Sequence, residues 1–177
     1  MEDRPAPGDL ALLERFVNTA NLEEGTDELA DAAQLTAWLG ESGLAPAGSA
    51  FGEPDRERIV GFREALRELL LANHGGQPDP AAIAQLDRAG TLGVVFDADG
   101  TAHFVPAGTG VDAVVSRLLG IVACSQTDGT WPSMKACPAD NCGWAFYDYS
   151  RNHSRTWCTM SVCGNRAKAR SFRARQR

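Results

Sequence analysis

The chain has 177 residues, and its 23 Asp and Glu outnumber its 17 Lys and Arg, which gives a formal net charge of −6. Hydrophobic residues make up 44 % and charged residues 23 %, a composition that excludes a disordered chain and suits one domain, or one domain with a small appendage. No apolar run reaches the roughly 20 residues of a membrane helix, and the acidic start at residues 1–5 predicts no signal peptide, so we expect a cytoplasmic protein without a membrane partner.

The first 90 residues predict a mainly helical segment. Asp9 is expected to cap a first helix, and Thr26 a second helix that ends near Gly43. Pro54 suits the first turn of a longer helix, and Pro80 opens a shorter one. The residues expected to face inward from these helices are Leu13, Phe16, Val17, Leu35, Trp38, Leu39, Ile59, Phe62, Leu66, Leu69 and Leu70.

After the fourth helix the apolar periodicity changes from helical to alternating, which predicts a β-hairpin. Asp99-Gly100 is the signal for a two-residue turn. A turn at these two positions pairs Phe96 with His103 and Val94 with Val105. Because an isolated hairpin is only marginally stable, we expect helices to cover it.

The N-terminal part offers few catalytic candidates. Cys124, on a helix predicted over residues 112–125, is expected to be a buried small side chain, and His103 to be packed or hydrogen-bonded. Asn18 and Thr19 either line a pocket or simply end the first helix. Because no phosphate-binding loop, nucleophile elbow or metal-hydrolase motif occurs, we do not expect an enzyme.

The charge is distributed unevenly along the chain. From Lys135 to the end, nine Lys and Arg face two acids, for a balance of +7. The first 134 residues hold eight basic and 21 acidic residues, for a balance of −13. A basic tail on an acidic body suggests that the tail meets a polyanion, although a solvated tail without a partner is the alternative.

Four of the five cysteines lie in one short window. Cys137 and Cys142 are separated by four residues, Cys158 and Cys163 by four more, and fifteen residues lie between the pairs. Two close pairs at such a gap can converge on one zinc ion, and four thiolates leave no open position for water, so the ion is structural. An iron–sulfur cluster is the alternative, although its cysteines usually lie closer together along the chain. Disulfides are disfavoured because the expected compartment is reducing.

The fifteen residues between the cysteine pairs are predicted to form a hairpin. Residues 144–147 are aromatic and typical of a strand, residues 150–154 are typical of a turn, and residues 155–157 return to Cys158. His153 is expected to be a loop residue near the surface that meets a partner.

A basic helix is predicted over residues 161–175. At 100° per residue, one stripe with an arc of about 60° is formed by Arg166, Arg170, Arg173 and Arg177. Lys168 and Arg175 form a second edge, and Ala169 and Phe172 are expected to pack towards the hairpin.

Several of these segments resemble the CGNR zinc finger. They are Trp-Ala-Phe-Tyr-Asp at 144–148, Ser-Arg-Asn at 150–152 and, above all, Cys-Gly-Asn-Arg-Ala-Lys-Ala-Arg at 163–170. In that family the finger ends bacterial proteins whose N-terminal part is the ABATE domain, described as stress-induced transcription regulators. Residues 16–19 and 35–39 are similar to the opening motif of that domain. The resemblance implies zinc as the cofactor, with the four cysteines as its ligands.

Together these observations predict an α+β protein with two parts. The body, residues 1–130, is acidic, mainly helical and carries a β-hairpin, and the finger, residues 131–177, is a small four-cysteine zinc finger with a hairpin and a basic C-terminal helix. The leading hypothesis is a DNA-binding transcription regulator. Its candidate DNA contacts are Arg151, Arg155, Asn165, Arg166, Lys168, Arg170, Arg173 and Arg175. The body would bind a small-molecule effector or form a homodimer.

Two other functions fit the same residues. A basic zinc module with Trp144, Tyr147 and Trp157 also suits stacking on single-stranded RNA. The other function is that of a protein-interaction module, in which the basic helix docks on an acidic partner or on the body itself.

Overall fold

The computed structural model describes residues 4–176, so residues 1–3 and Arg177 lie outside the described part. Within that part the chain forms six α-helices and three small antiparallel hairpins. The elements in chain order are α1 Leu10–Val17, β1 Ala20–Asn21, β2 Thr26–Asp27, α2 Ala32–Glu41, α3 Glu53–Ala72, α4 Pro80–Ala89, β3 Leu92–Phe96, β4 Ala102–Pro106, α5 Val111–Thr127, β5 Met134–Ala136, β6 Ala145–Tyr147 and α6 Asn165–Arg175. A mainly helical N-terminal region followed by a four-cysteine cluster confirms the predicted fold class.

The hydrophobic core is built around α3, as its periodicity predicts. Ile59, Phe62, Leu66 and Leu70 are buried along one face of this helix. The inward faces of α1, α2 and α5 pack around it, and the Phe16 ring lies 6.3 Å from the Phe62 ring. No helix within residues 4–176 combines the length and apolar character that crossing a membrane requires.

The second helix begins later than predicted. Thr26 does not cap it but pairs with Asn21 in the short β1–β2 hairpin. Asp31 is the N-cap, and its carboxylate accepts a hydrogen bond from the Gln34 N–H at 2.8 Å. The prediction was wrong because Asp27 is held by a buried arginine, Arg63, which fixes this segment in an extended conformation.

The β3–β4 hairpin is present, but its register differs by one residue from the prediction. Val95 lies opposite His103, and Phe96 opposite Ala102. The loop contains three residues rather than two, because the Asp97 N–H donates to the Thr101 carbonyl at 2.9 Å. Gly100, with φ +85°, supplies the left-handed residue that such a loop requires.

Cys124 on α5 is exposed, which contradicts the predicted burial. It lies about 120° around the helix from the buried Leu118, so it is outside the inward face. Its side chain lines an open cleft of about 450 Å³ between α5 and the hairpin, beside Leu92 and Phe104.

The hairpin of the finger uses a different partner from the one predicted. β6 pairs with β5, which precedes the first cysteine, and Lys135 lies opposite Phe146. Residues 155–157 form no strand, because the Arg155 N–H donates to the Asp148 carboxylate and the Arg155 carbonyl accepts from Lys135. The Arg155 guanidinium turns inward and bonds carbonyl groups of its own loop. Trp131, Met134 and Ala145 also belong to the main core, so the finger packs directly on the body.

Candidate metal centre and basic helix

The four cysteine sulfurs of the finger converge in one buried cluster, with all four atoms within 4.8 Å of one another. The Sγ of Cys142 lies 3.6 Å from that of Cys158, and Cys163 Sγ lies 3.7 Å from both. Tetrahedral zinc with Zn–S bonds of about 2.3 Å places its sulfurs about 3.8 Å apart. The cluster therefore has the dimensions of a zinc site.

Local hydrogen bonds hold the cysteine-bearing loops in place. The Cys137 N–H donates to the Trp144 carbonyl at 2.9 Å, and the Cys142 N–H to the Ala139 carbonyl at 3.0 Å. On the other side, Arg155 donates to the carbonyl groups of Trp157 and Cys158. The two halves of the sulfur cluster are thus each fixed by a turn, as a site assembled from two close pairs requires.

Four thiols this close cannot all lose their protons without a cation among them. Hydrogen bonds from Cys142 and Cys158 lower the pKa of the Cys137 thiol to about 2. The hydrogen bond with Cys137 raises the pKa of the Cys158 thiol, and burial raises the pKa of Cys163 to about 12. A divalent ion supplies the positive charge that allows four thiolates, and a soft, all-sulfur donor set suits zinc.

Beside the sulfur cluster lies a buried ion pair between Lys135 and Asp148. The Lys135 Nζ donates to Asp148 Oδ2 at 2.8 Å and to the His153 carbonyl at 2.5 Å. Burial alone would raise the pKa of Asp148, but hydrogen bonds from Lys135, Ser150 and the Arg155 backbone lower it to about 2. Lys135 therefore stabilises the finger and does not belong to its basic surface.

Polar side chains of the body fasten the finger in place. The Asn18 amide bonds both backbone groups of Ala145, accepting from its N–H at 2.7 Å and donating to its carbonyl at 2.9 Å. At the opposite strand, Asn73 donates to the Met134 carbonyl at 2.7 Å, and His74 Nε2 lies 2.8 Å from the Ala136 carbonyl. These side chains extend the finger hairpin on both edges, as neighbouring strands would.

Arg67 connects three parts of the molecule and is almost fully buried. Its guanidinium donates to the Val17 carbonyl of α1 at 2.7 Å and to the Gly143 carbonyl of the finger at 2.5 Å. Gly143 has φ +59°, the left-handed region that favours glycine, and a Cβ there would lie 3.1 Å from Arg67 Cδ. The turn after Cys142 is thereby locked to the body.

A second buried arginine, Arg63, belongs to the same network. It forms a two-bond contact with Asp27 at 2.7 and 2.8 Å, and it shares Glu64 with Arg67. Burial raises the pKa of the Glu64 carboxyl, but the hydrogen bonds from Arg67 and Arg63 outweigh this and lower it. Neither arginine was predicted from the sequence, although Arg63 lies four residues after Ile59 on the apolar face of α3, which is a detectable signal.

The structure places most of the predicted nucleic-acid contacts on one helix. α6 begins directly after the turn that carries Cys163, and five of its eleven residues are exposed Arg or Lys. It contains no acid. Asn165 is exposed and donates to the Ser161 carbonyl, and Arg151 is exposed in the loop before Cys158. Arg155 is not on this surface, because its guanidinium packs over the Phe146 ring at 4.6 Å.

Two of the helix arginines meet acids of the same chain. Arg166 lies 2.6 Å from Glu23 of the body, and Arg170 contacts Asp140, which follows the first cysteine. These contacts are exposed. Phe172 is 60 % exposed, so the predicted packing against the hairpin does not form. It lies with Lys168 and Arg175 on the side of α6 that points away from these acids.

Asn18 and Thr19 lie at the junction of body and finger. Both line an open cleft of about 330 Å³ that is closed on one side by Trp144. Asn18 also follows α1 as its C-cap residue, and its amide bonds both backbone groups of Ala145. Thr19 is buried and accepts a hydrogen bond from Arg63 at 2.9 Å.

The comparisons with known families agree with this architecture. Residues 8–127 match the family model ABATE, described as "Putative stress-induced transcription regulator", and residues 134–176 match the CGNR zinc finger. Neither description names an enzymatic reaction. A search among curated proteins finds no match. The ABATE match covers 120 of the 177 residues, and the chain therefore belongs to the ABATE family and ends in a CGNR zinc finger.

Proposed function

We propose that this protein is a zinc-dependent, DNA-binding transcription regulator. The observation that carries the proposal is the position of α6: the helix starts two residues after Cys163, the last cysteine of the sulfur cluster, and carries five exposed cations without an acid. A bound zinc ion would fix the start of this helix. Rigid cations on one short helix favour a polyanion as partner, because its phosphates offset their mutual repulsion.

Within the part of the chain that the structure describes, the cations of α6 fall into two groups. Lys168, Arg173 and Arg175 have no acidic partner and can contact the phosphate groups of DNA. Arg166 and Arg170 are paired with Glu23 and Asp140. DNA phosphates must compete with these two acids for Arg166 and Arg170, so the chain itself weakly inhibits DNA binding.

We also propose that the body, up to residue 130, senses an effector or dimerises, and that the finger binds DNA. The tight docking through Arg67 and Asn18 supports communication between the two parts, because a change in the body would reach the finger directly. Thiolates that hold zinc need a reducing compartment, which supports the cytoplasm as location. The bacterial origin that the resemblance implies stays a prediction.

A salt titration of DNA binding tests the proposal. We expect the zinc-loaded protein to bind duplex DNA with an affinity that falls steeply with salt. Arg170→Ala with Arg173→Ala should weaken binding and reduce the slope of log K against log salt by about 2. Arg15→Ala, an exposed arginine of α1, is the matched control and should change neither. Salt-independent binding, or no binding to any duplex, would contradict the proposal.

The acids beside α6 provide a second test with the opposite sign. Glu23→Gln and Asp140→Asn remove the internal competitors, so each should strengthen DNA binding at low salt.

Competition between duplex DNA and single-stranded RNA distinguishes the proposed partner from its nearest alternative, RNA. Of the three aromatic residues that suit stacking, Tyr147 already packs against Tyr149 with ring centres 4.7 Å apart, and only Trp144 is exposed. Preference for single-stranded RNA over duplex DNA would replace the proposed partner.

A further inference from the structure

The β3–β4 hairpin has two strands of very different character. β3, Leu-Gly-Val-Val-Phe, has apolar side chains on both faces and no charge, whereas β4 carries His103 and ends at Pro106. Within residues 4–176, β3 pairs with β4 alone, so its outer edge meets no other strand. We propose that this edge pairs with β3 of a second copy of the chain, which gives a four-stranded sheet across a dimer.

The composition of β3 is that of a strand inside a sheet. Strands buried on both faces have continuous apolar runs, and natural edge strands are protected by charges or proline. β4 has such a proline, but β3 has no such protection. Its Val94, Val95 and Phe96 are nevertheless 52 %, 45 % and 71 % exposed. In one copy of the chain, an interior strand is therefore left at an edge.

The hydrogen-bond pattern shows which backbone groups the edge offers. Asp97 donates to Thr101, so this pair is hydrogen-bonded, and antiparallel pairs alternate along the ladder. Val95 and Gly93 consequently bond to β4. The N–H and C=O groups of Leu92, Val94 and Phe96 point outwards to the open edge. These three residues are spaced as an added antiparallel strand requires.

A two-fold axis beside Val94 lets the outward N–H and C=O groups of the two copies form hydrogen bonds with each other. Two copies related by such an axis are antiparallel without further adjustment, and Val94 then lies opposite Val94 of the other copy. In this register Leu92 of each copy lies opposite Phe96 of the other. All three side chains are on one face of their strand, so the two copies together form one continuous apolar face.

The charges next to β3 favour a second copy over another kind of strand. The exposed Arg88, near the end of α4, has no acidic partner within the described residues. The proposed register brings it towards the Asp97–Gly100 turn of the other copy, where Asp99 is exposed and Asp97 lies 2.7 Å from His103 of its own chain. The same attraction occurs twice across the axis, because the surface is complementary to itself. This inference concerns the body and does not depend on DNA binding.

Residue 94 allows a sharp test, because it meets itself across the axis. We expect the zinc-loaded full chain to sediment without DNA at twice its 18.9 kDa mass. Val94→Lys and Val94→Glu should each be monomeric, since like charges oppose each other, and an equimolar mixture of the two should restore the dimer. Phe104→Lys is the matched control: it has similar exposure on the same face but lies on β4, so the dimer should persist.

Each outcome decides for or against the paired edge. Unchanged circular dichroism and zinc content show that the variants fold, which the exposure of the side chain at residue 94 makes feasible. A monomeric wild-type chain at about 100 µM would overturn the inference. So would a dimer that Phe104→Lys breaks and Val94→Lys leaves intact, because the contact would then be made by the face of the hairpin and not by its edge.

Discussion

The body and the finger are stabilised by different means. The body buries the apolar faces of α1, α2 and α5 around α3, in the manner of an ordinary helical domain. The finger has few apolar side chains of its own, and at its centre are four sulfurs and a buried Lys135–Asp148 pair. A segment this small cannot bury enough apolar surface to fold alone, so metal, charge and the surface of the body replace a core.

The largest expected effect is the loss of zinc, which should separate the two regions. Structural zinc contributes roughly 10–16 kcal/mol of binding free energy in small fingers, so its removal leaves the finger without its main support. We expect a chelator, or Cys158→Ser, to abolish amide protection in residues 137–164 while α3 stays protected. Hydrogen exchange by mass spectrometry measures both regions at once. Equal loss of protection in α3 would show that the body has no independent stability.

Asp148→Asn should be the most damaging change that leaves the sulfurs intact. It leaves the Lys135 ammonium buried without its counter-charge, which costs about 3–5 kcal/mol. Chemical denaturation of the zinc-loaded protein measures the loss. Asp140→Asn changes an exposed carboxylate of the same finger and serves as the control, with little expected effect. Equal effects of the two changes would contradict the assigned role of the buried pair.

The same pair predicts a pH dependence with a definite sign. Because the pKa of Asp148 falls from 3.8 to about 2 on folding, its charge stabilises the protein above pH 3.8, and this contribution is lost as the pH falls towards 2. Protonation of the thiolates also releases zinc at low pH, so wild type and Asp148→Asn are compared at equal zinc content. The stability difference between them should therefore shrink between about pH 5 and pH 2. A difference that stays constant over this range would show that the carboxylate charge is not involved.

Arg67→Ala should weaken the connection between the regions more than either region itself. The change leaves the Val17 and Gly143 carbonyl groups buried without donors and costs about 2–4 kcal/mol. We expect faster hydrogen exchange at Cys142 to Phe146 and a lower unfolding midpoint. Arg15→Ala on the exposed side of α1 should leave both unchanged. If exchange in the finger did not accelerate, Arg67 would support the body alone.

The smallest expected effect concerns the exposed contact between Arg166 and Glu23. Exposed ion pairs are screened by water and salt, so Glu23→Gln should not measurably move the thermal midpoint. The same variant is expected to strengthen DNA binding. A clear loss of stability would mean that this contact helps to hold the finger on the body.

Local patterns in the sequence predicted much of this structure. The cysteine spacing predicted the sulfur cluster, and the apolar periodicity predicted the inward face of α3, because both depend on nearby residues alone. The hairpin register depended on one extra loop residue that Asp99-Gly100 does not reveal. The roles of Asn18 and Arg67 could not be predicted, because they bond backbone groups more than 70 residues away whose position depends on how the finger docks. Arg155 turned inward for a local reason: its guanidinium bonds the Trp157 and Cys158 carbonyl groups of its own loop.

Counting reactive thiols in the native protein tests the central claim most directly. If one zinc ion closes the cluster of Cys137, Cys142, Cys158 and Cys163, the zinc-loaded chain should contain one zinc and expose a single thiol, Cys124, to an alkylating reagent. After chelation all five thiols should react. Five reactive thiols before chelation, or alkylation of any of the four while one zinc per chain remains bound, would contradict the account.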